Sequence, residues 1–176
     1  MACLSLSSGR NLGCKNNVGG LKAVYFADYG SFTPTTFVAG ELTVISGDPD
    51  LFQYDLKGNS SLETTINSSR ENGTTFYTQT LNLTLPILDK ATQEEIKILA
   101  SERPIVFVED YNGKFYVVGL YNGAEVTGGT IVTGAAMGDL TGYTITAVAQ
   151  ETAPPYFVTG SVITADASAS QIDPTA

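Results

Sequence analysis

The sequence predicts a mainly β fold: an antiparallel β-sandwich or barrel with one flanking α-helix. Three observations predict it. Charged residues make up only 15% of the protein, against roughly 25% in an ordinary soluble domain. Thr, Ser, Asn and Gly take their place, and these fit pleated surfaces and turns. From Thr74 to Leu85 the side chains alternate with period two, which buries one face of a long strand. Asn-Gly pairs stand at Asn72-Gly73, Asn112-Gly113 and Asn122-Gly123, and Asn-Gly readily takes the positive φ angles of a hairpin turn.

The elements follow in order. Residues 1–20 are small, polar and Gly-rich and read as an N-terminal arm. Leu21 to Asp28 is a strand, stopped by Tyr29-Gly30 and Pro34, and Phe37 to Ile45 is a second. Leu51 to Leu56 is a third. Ser61 to Asn67 and Thr74 to Leu85 form a hairpin about the turn Arg70-Glu71-Asn72-Gly73. In its second strand Phe76, Thr78, Thr80, Asn82 and Thr84 share one face; Tyr77, Gln79, Leu81, Leu83 and Leu85 share the other. A helix is expected over about 90–101. Asp89 or Thr92 caps it, Thr92 with Glu95 fits a capping box, and Leu88, Ile96, Leu99 and Ala100 form its core face. Pro104 ends it.

Strands return at Ile105–Glu109 and Phe115–Leu120, joined by the turn Asp110–Gly113, and at Ala124–Val132, where Gly128-Gly129 marks a bulge or bend. Gly134–Gly142 is a flexible loop, and Gly142–Gln150 alternates as a strand. Tyr156–Val162 reads as one more strand or an extended arm. Residues 21–158 are thus one β domain, and 159–176 a C-terminal arm or disordered tail.

The 176 residues suit a single domain with one core. The net charge is −9, and after Lys114 there is no Lys or Arg. Such a protein repels phosphates rather than gripping them. No stretch approaches 18 apolar residues, so no membrane partner is expected. The first residues lack the pattern of a signal peptide, so cytoplasmic synthesis is expected and the sequons at Asn59, Asn67, Asn72 and Asn82 carry no weight. Cys3 and Cys14 either pair in an oxidised particle or stay free.

Chemistry is sparse. There is no His, which removes the usual triads and dyads, and two Cys alone cannot complete a zinc site. Phosphate-cradling Gly motifs are absent, and no cofactor is expected. The carboxylate pairs Glu94/Glu95, Glu109/Asp110 and Asp48/Asp50 have structural readings: a first helical turn, a hairpin turn and a proline turn. Asp48, Asp50 and Asp55 lack the spacing of an EF-hand calcium loop. Low charge and long Thr-rich strands favour a non-enzymatic protein that assembles with itself, since in an assembly the strand edges are covered.

The run from Leu85 through Leu88-Asp89-Lys90, the short helix, Arg103 to Gly119 and the later Met137 to Thr146 segment resemble tailed-bacteriophage tail tube proteins. The resemblance covers roughly residues 21–158 and rests on strand, turn and Gly patterns. It implies a β-sandwich or barrel flanked by a helix, and hexameric rings that stack through arms and a long loop or hairpin. The inner strands of such rings close into a channel through which viral DNA passes. It places the protein in the virion tail, made in a bacterial host, with copies of itself and other tail or neck proteins as partners. Thr78, Thr80, Asn82 and Thr84 are then candidates to line the channel. Other virion rings (a tail terminator, neck or connector) and a β-rich binding or decoration module are the alternatives.

Overall fold

A computed structural model describes residues 8–11, 14–47 and 49–166 of the protein, with side chains through residue 163. The fold is mainly β, as expected, and is built from two sheets. Strands β1 (Leu21–Ala27), β2 (Thr33–Val38), β3 (Glu41–Ser46), β4 (Phe52–Asp55), β7 (Ile105–Asp110), β8 (Phe115–Val118) and β11 (Tyr156–Val158) form the larger, in the order β2-β3-β11-β8-β7-β1-β4. Strands β5 (Ser61–Ser69), β6 (Thr74–Pro86), β9 (Glu125–Val132) and β10 (Gly142–Glu151) form the smaller, in the order β5-β6-β10-β9. Every pairing is antiparallel except β11 with β3.

The two sheets share one core. Leu81, Leu83 and Leu85 of β6 and Tyr143, Ile145 and Ala147 of β10 meet Val24, Phe26, Val106 and Val108 of the larger sheet. Each such buried Leu, Ile or Val contributes about 1.5–3 kcal/mol relative to exposure. The larger sheet is buried on its second face as well. There Ala23, Tyr25 and Phe107 pack with Leu42, Phe32, Leu51, Val158 and Ile163. A bulge in β1 sorts its residues between the two cores. Leu21 pairs with Asp110 and Ala23 with Glu109, so Lys22 is the extra residue. Leu21 therefore joins the face of Val24 and Phe26 instead of that of Ala23.

Helix α1 (Lys90–Leu99) is capped by Asp89, whose carboxylate accepts from the backbone N–H groups of Ala91 and Thr92. Asp89, not Thr92, is thus the cap, and Thr92 with Glu95 forms no capping box. Because the helix begins at Lys90, its first turn holds no acidic residue, and Glu94 and Glu95 lie in the second. Leu88, Ile96 and Leu99 pack on the shared core as expected. Ala100 does not: it is the C-cap and is exposed. The helix ends short of Pro104, where the Ser101 N–H bonds to the Ile98 carbonyl three residues back and tightens the last turn.

Two segments differ from expectation. The stretch read as one strand from Phe37 to Ile45 is two, because Ala39 and Gly40 both take positive φ, 52° and 85°, and turn the backbone round. Pro34, read as a breaker, lies inside β2. That strand is a sheet edge, where a missing N–H costs no ladder bond. After β11 the polypeptide does not leave the domain at Val158. Gly160–Asp166 forms a short helix, α2, and Val162 and Ile163 are buried in the second core. The expected bulge in β9 is present one residue before the Gly pair: Thr146 pairs with Gly128 and Ala147 with Val126, leaving Thr127 over. Residues 167–176, Asp48 and Cys3 lie outside the described residues; Cys14 is free and exposed.

Candidate functional site

The face of the four-stranded sheet that points away from the core is the principal candidate. Period two sends Leu81, Leu83 and Leu85 inward and leaves Thr78, Thr80, Asn82 and Thr84 outward and half-exposed. The register carries this face across the sheet. Thr78 lies between Thr65 and Gln150, Thr80 between Glu63 and Val148, and Asn82 between Ser61 and Thr146. Thr84 lies beside Thr144, which lies beside Thr130.

Hydrogen bonds between side chains tie these rows together. Thr146 Oγ1 donates to Asn82 Oδ1 at 3.0 Å, the Thr130 and Thr144 hydroxyls meet at 2.6 Å, and Asn67 Nδ2 donates to Thr78 Oγ1 at 2.9 Å. Cross-strand pairs of this kind stabilise a sheet by roughly 0.2–1 kcal/mol each. The bonds also occupy the hydroxyls with one another.

None of the four strands contains a Lys or Arg. The charges on the outward face are Glu63 and Glu125, at the two ends of the Thr80–Val148 row. The face is therefore polar, hydrogen-bonded within itself and weakly acidic. It lacks the cations that phosphate binding requires.

The sheet has two open edges, β5 and β9. Since β5-β6, β6-β10 and β10-β9 are all antiparallel, the two edge strands run in opposite directions. A second copy placed beside the first by rotation about an axis along the strands would pair its β5 antiparallel to β9. An even number of alternating strands thus permits head-to-tail continuation into a closed barrel.

The acid–base candidates separate. Glu109, on β7, is nearly buried and is engaged by Lys22 Nζ at 2.7 Å, while Tyr25 Oη approaches its other oxygen at 3.5 Å. The Glu109 pair raises the Lys22 ammonium above its ordinary value. Burial, then the Glu109 charge, raises the Tyr25 hydroxyl. Asp110 is turn chemistry, as expected: its Oδ1 accepts from the N–H groups of Asn112 and Lys114. Glu94 meets Lys97 at 4.0 Å on the exposed side of α1. Among the described residues no group of three or more Asp, Glu or Cys is placed to hold a metal ion. Asp48 is not among them.

One buried acid was not singled out by the sequence. Glu151 is 4% exposed, and its Oε1 accepts from the N–H groups of Tyr121 and Asn122 at 3.0 and 2.8 Å. Its Oε2 is buried without a hydrogen-bond partner. Beside it Gln79 joins the two sheets, accepting from Gly119 N at 3.1 Å and donating to Ala153 O at 3.3 Å. The hollow between Gln79, Tyr121, Glu151 and Tyr156 does not admit a water-sized sphere. Glu151 therefore reads as an anchor for the turn that carries the backbone from one sheet to the other. Its signal in the sequence was only an acid continuing the inward parity of the β10 strand.

No helix among the described residues is long and apolar enough to cross a membrane. No protein-family model, no curated protein and no solved structure matches the sequence.

Proposed function

We propose that this is a non-catalytic structural protein that assembles into hexameric rings of the tail-tube kind. The outward face of its four-stranded sheet then lines a channel through which viral DNA passes. One observation carries the reading: an extended polar β-face without a cation, on a sheet whose two open edges run in opposite directions. A channel wall for DNA has to wet easily and has to avoid holding phosphate. Hydroxyls and amides bonded to one another meet the first need. Glu63 and Glu125, with no Lys or Arg near them in the sheet, meet the second.

The resemblance of the Leu85–Gly119 and Met137–Thr146 segments to tail tube proteins supplies the ring and its place in the virion. The edges supply a means of closure. An open strand edge is a liability in a monomer, and pairing β9 with the β5 of the next copy removes both edges at once. Partners in this reading are further copies of the protein, other tail or neck proteins, and DNA in transit without specific binding.

Negative-stain electron microscopy over a range of protein concentrations tests the proposal. The expected result is rings or stacked tubes with a central hole wide enough for duplex DNA. A monomer at every concentration would sink it.

A further inference from the structure

Three Asn-Gly pairs occur in the sequence. Asn-Gly is the dipeptide most open to spontaneous deamidation, because glycine leaves the attacking amide nitrogen unhindered. Reaction still requires the Asn side chain to swing onto that nitrogen, a near-attack geometry that the fold either permits or forbids.

Two of the three pairs are locked. At Asn112 the side-chain amide clamps the N-terminal arm: Oδ1 accepts from Val18 N at 3.0 Å, and Nδ2 donates to Val18 O at 2.7 Å and to Asp110 Oδ2 at 3.1 Å. The Gly113 nitrogen that would attack donates to Asp110 O at 3.1 Å. At Asn122, Nδ2 donates to Gln150 O at 2.7 Å, and the Gly123 nitrogen donates to Gly119 O at 2.9 Å. Gly123 is also buried. Both the electrophile and the nucleophile are held away from each other at each site.

Asn72 and Gly73 differ. They sit exposed in the turn between β5 and β6. Among the described contacts Asn72 makes one hydrogen bond, from its backbone N–H to Ser69 Oγ at 3.3 Å, and its side-chain amide makes none. We propose that Asn72 is a modification site, the one Asn-Gly of the three that this fold leaves able to cyclise. The Gly73 nitrogen attacks Asn72 Cγ, and a new C–N bond forms as the Cγ–Nδ2 bond breaks. The Gly73 proton leaves with the amine as ammonia. Water then opens the succinimide at either carbonyl to give aspartate or isoaspartate, with no oxidation or reduction. The product carries a new carboxylate beside Glu71. In its isoaspartate form it also lengthens the backbone of a turn whose flanking residues, Ser69 and Thr74, are paired.

The test uses the whole protein, aged in mildly alkaline buffer with and without denaturant. Peptide mass mapping and isoaspartyl-specific methyl transfer are read at all three sites. In the folded protein Asn72 converts at least about tenfold faster than Asn112 or Asn122, since each locked site has to break hydrogen bonds first. In denaturant that lead collapses. Comparable rates in the folded protein overturn the proposal, as does a lead of the same size in denaturant, which would assign it to local sequence instead of the fold.

Discussion

The hydroxyl of Tyr143 grips the backbone of Asp89 on both sides, donating to its carbonyl at 2.9 Å and accepting from its N–H at 3.3 Å. Tyr143 is 1% exposed in the shared core, so one tyrosine fixes where helix α1 starts relative to β10. Tyr143→Phe keeps the ring and leaves both Asp89 groups without that partner. It is expected to cost about 1–3 kcal/mol, read as a lower urea midpoint with an unchanged slope. Asp89→Ala removes the cap and costs about 0.5–2 kcal/mol. Thr92→Ala, outside any capping box, costs less than either.

Ile87 has a φ of 72°, in the left-handed region that a β-branched residue rarely occupies. It is 46% exposed, so its sec-butyl group gains little from burial. Ile87→Asn relieves the strain and is expected to stabilise the fold by up to about 1 kcal/mol. A melting temperature at or below that of the parent would show that the packing of Ile87 contributes more than its strain costs.

Cations on the polar sheet face test its proposed role. Thr80→Lys is expected to change fold stability by no more than about 0.5 kcal/mol, because Thr80 is half-exposed, and Thr146→Lys by up to about 1 kcal/mol, because it also gives up the bond to Asn82. Assembled variant should retain duplex DNA, with retention falling as salt rises, while assembled parent retains none. Variant assemblies that pass DNA as freely as the parent would remove this face from the channel.

Alkaline pH should weaken the fold. Burial pushes the Tyr54 hydroxyl above the ordinary tyrosine value of 10.0, with the Glu95 charge adding to it. Tyr25, Tyr116 and Tyr121 are also raised, each chiefly by burial. A raised folded-state value means that the folded protein holds its proton longer than the unfolded polypeptide. The contribution is complete below the unfolded value and is lost as pH rises through the folded one. The urea midpoint is therefore expected to fall above about pH 10, and to fall less in Tyr54→Phe. An identical fall in both would clear Tyr54 of any part in it.

Much of this architecture was legible. The alternation of β6 named its inward and outward residues, because a strand with one buried face writes period two directly. The turns at Asn72-Gly73 and Asp110–Gly113 carried their own backbone signal. Ala39-Gly40 did not: alanine gives no hint of positive φ, so two strands read as one. Ala100 fell on the helical period but past the last turn, where periodicity no longer reports burial. Val162 was read at the end of a strand or arm and placed with Ile163 in the tail, because no local pattern shows that the second core, with Leu42 and Val158, makes their burial worthwhile. Glu151 was missed, since the alternation was read as ending at Gln150 and its partners, Tyr121 and Asn122, lie on a distant turn. The opposed directions of β5 and β9 depend on strand order, which no local pattern encodes.

The β5–β6 ribbon outruns the sheet that supports it. Pairing with β10 ends at Tyr77 opposite Glu151, and Thr74, Thr75 and Phe76 are bonded to β5 alone. This leaves about 10 Å of two-stranded ladder standing clear of the sandwich. Amide exchange should be graded along it, fastest at Asn72 and slowing abruptly at Gln79, because the overhang can fray without opening the core. The same overhang is a natural splice point: a short peptide inserted between Glu71 and Asn72 would be carried on a stalk, leaving the two cores beneath it untouched.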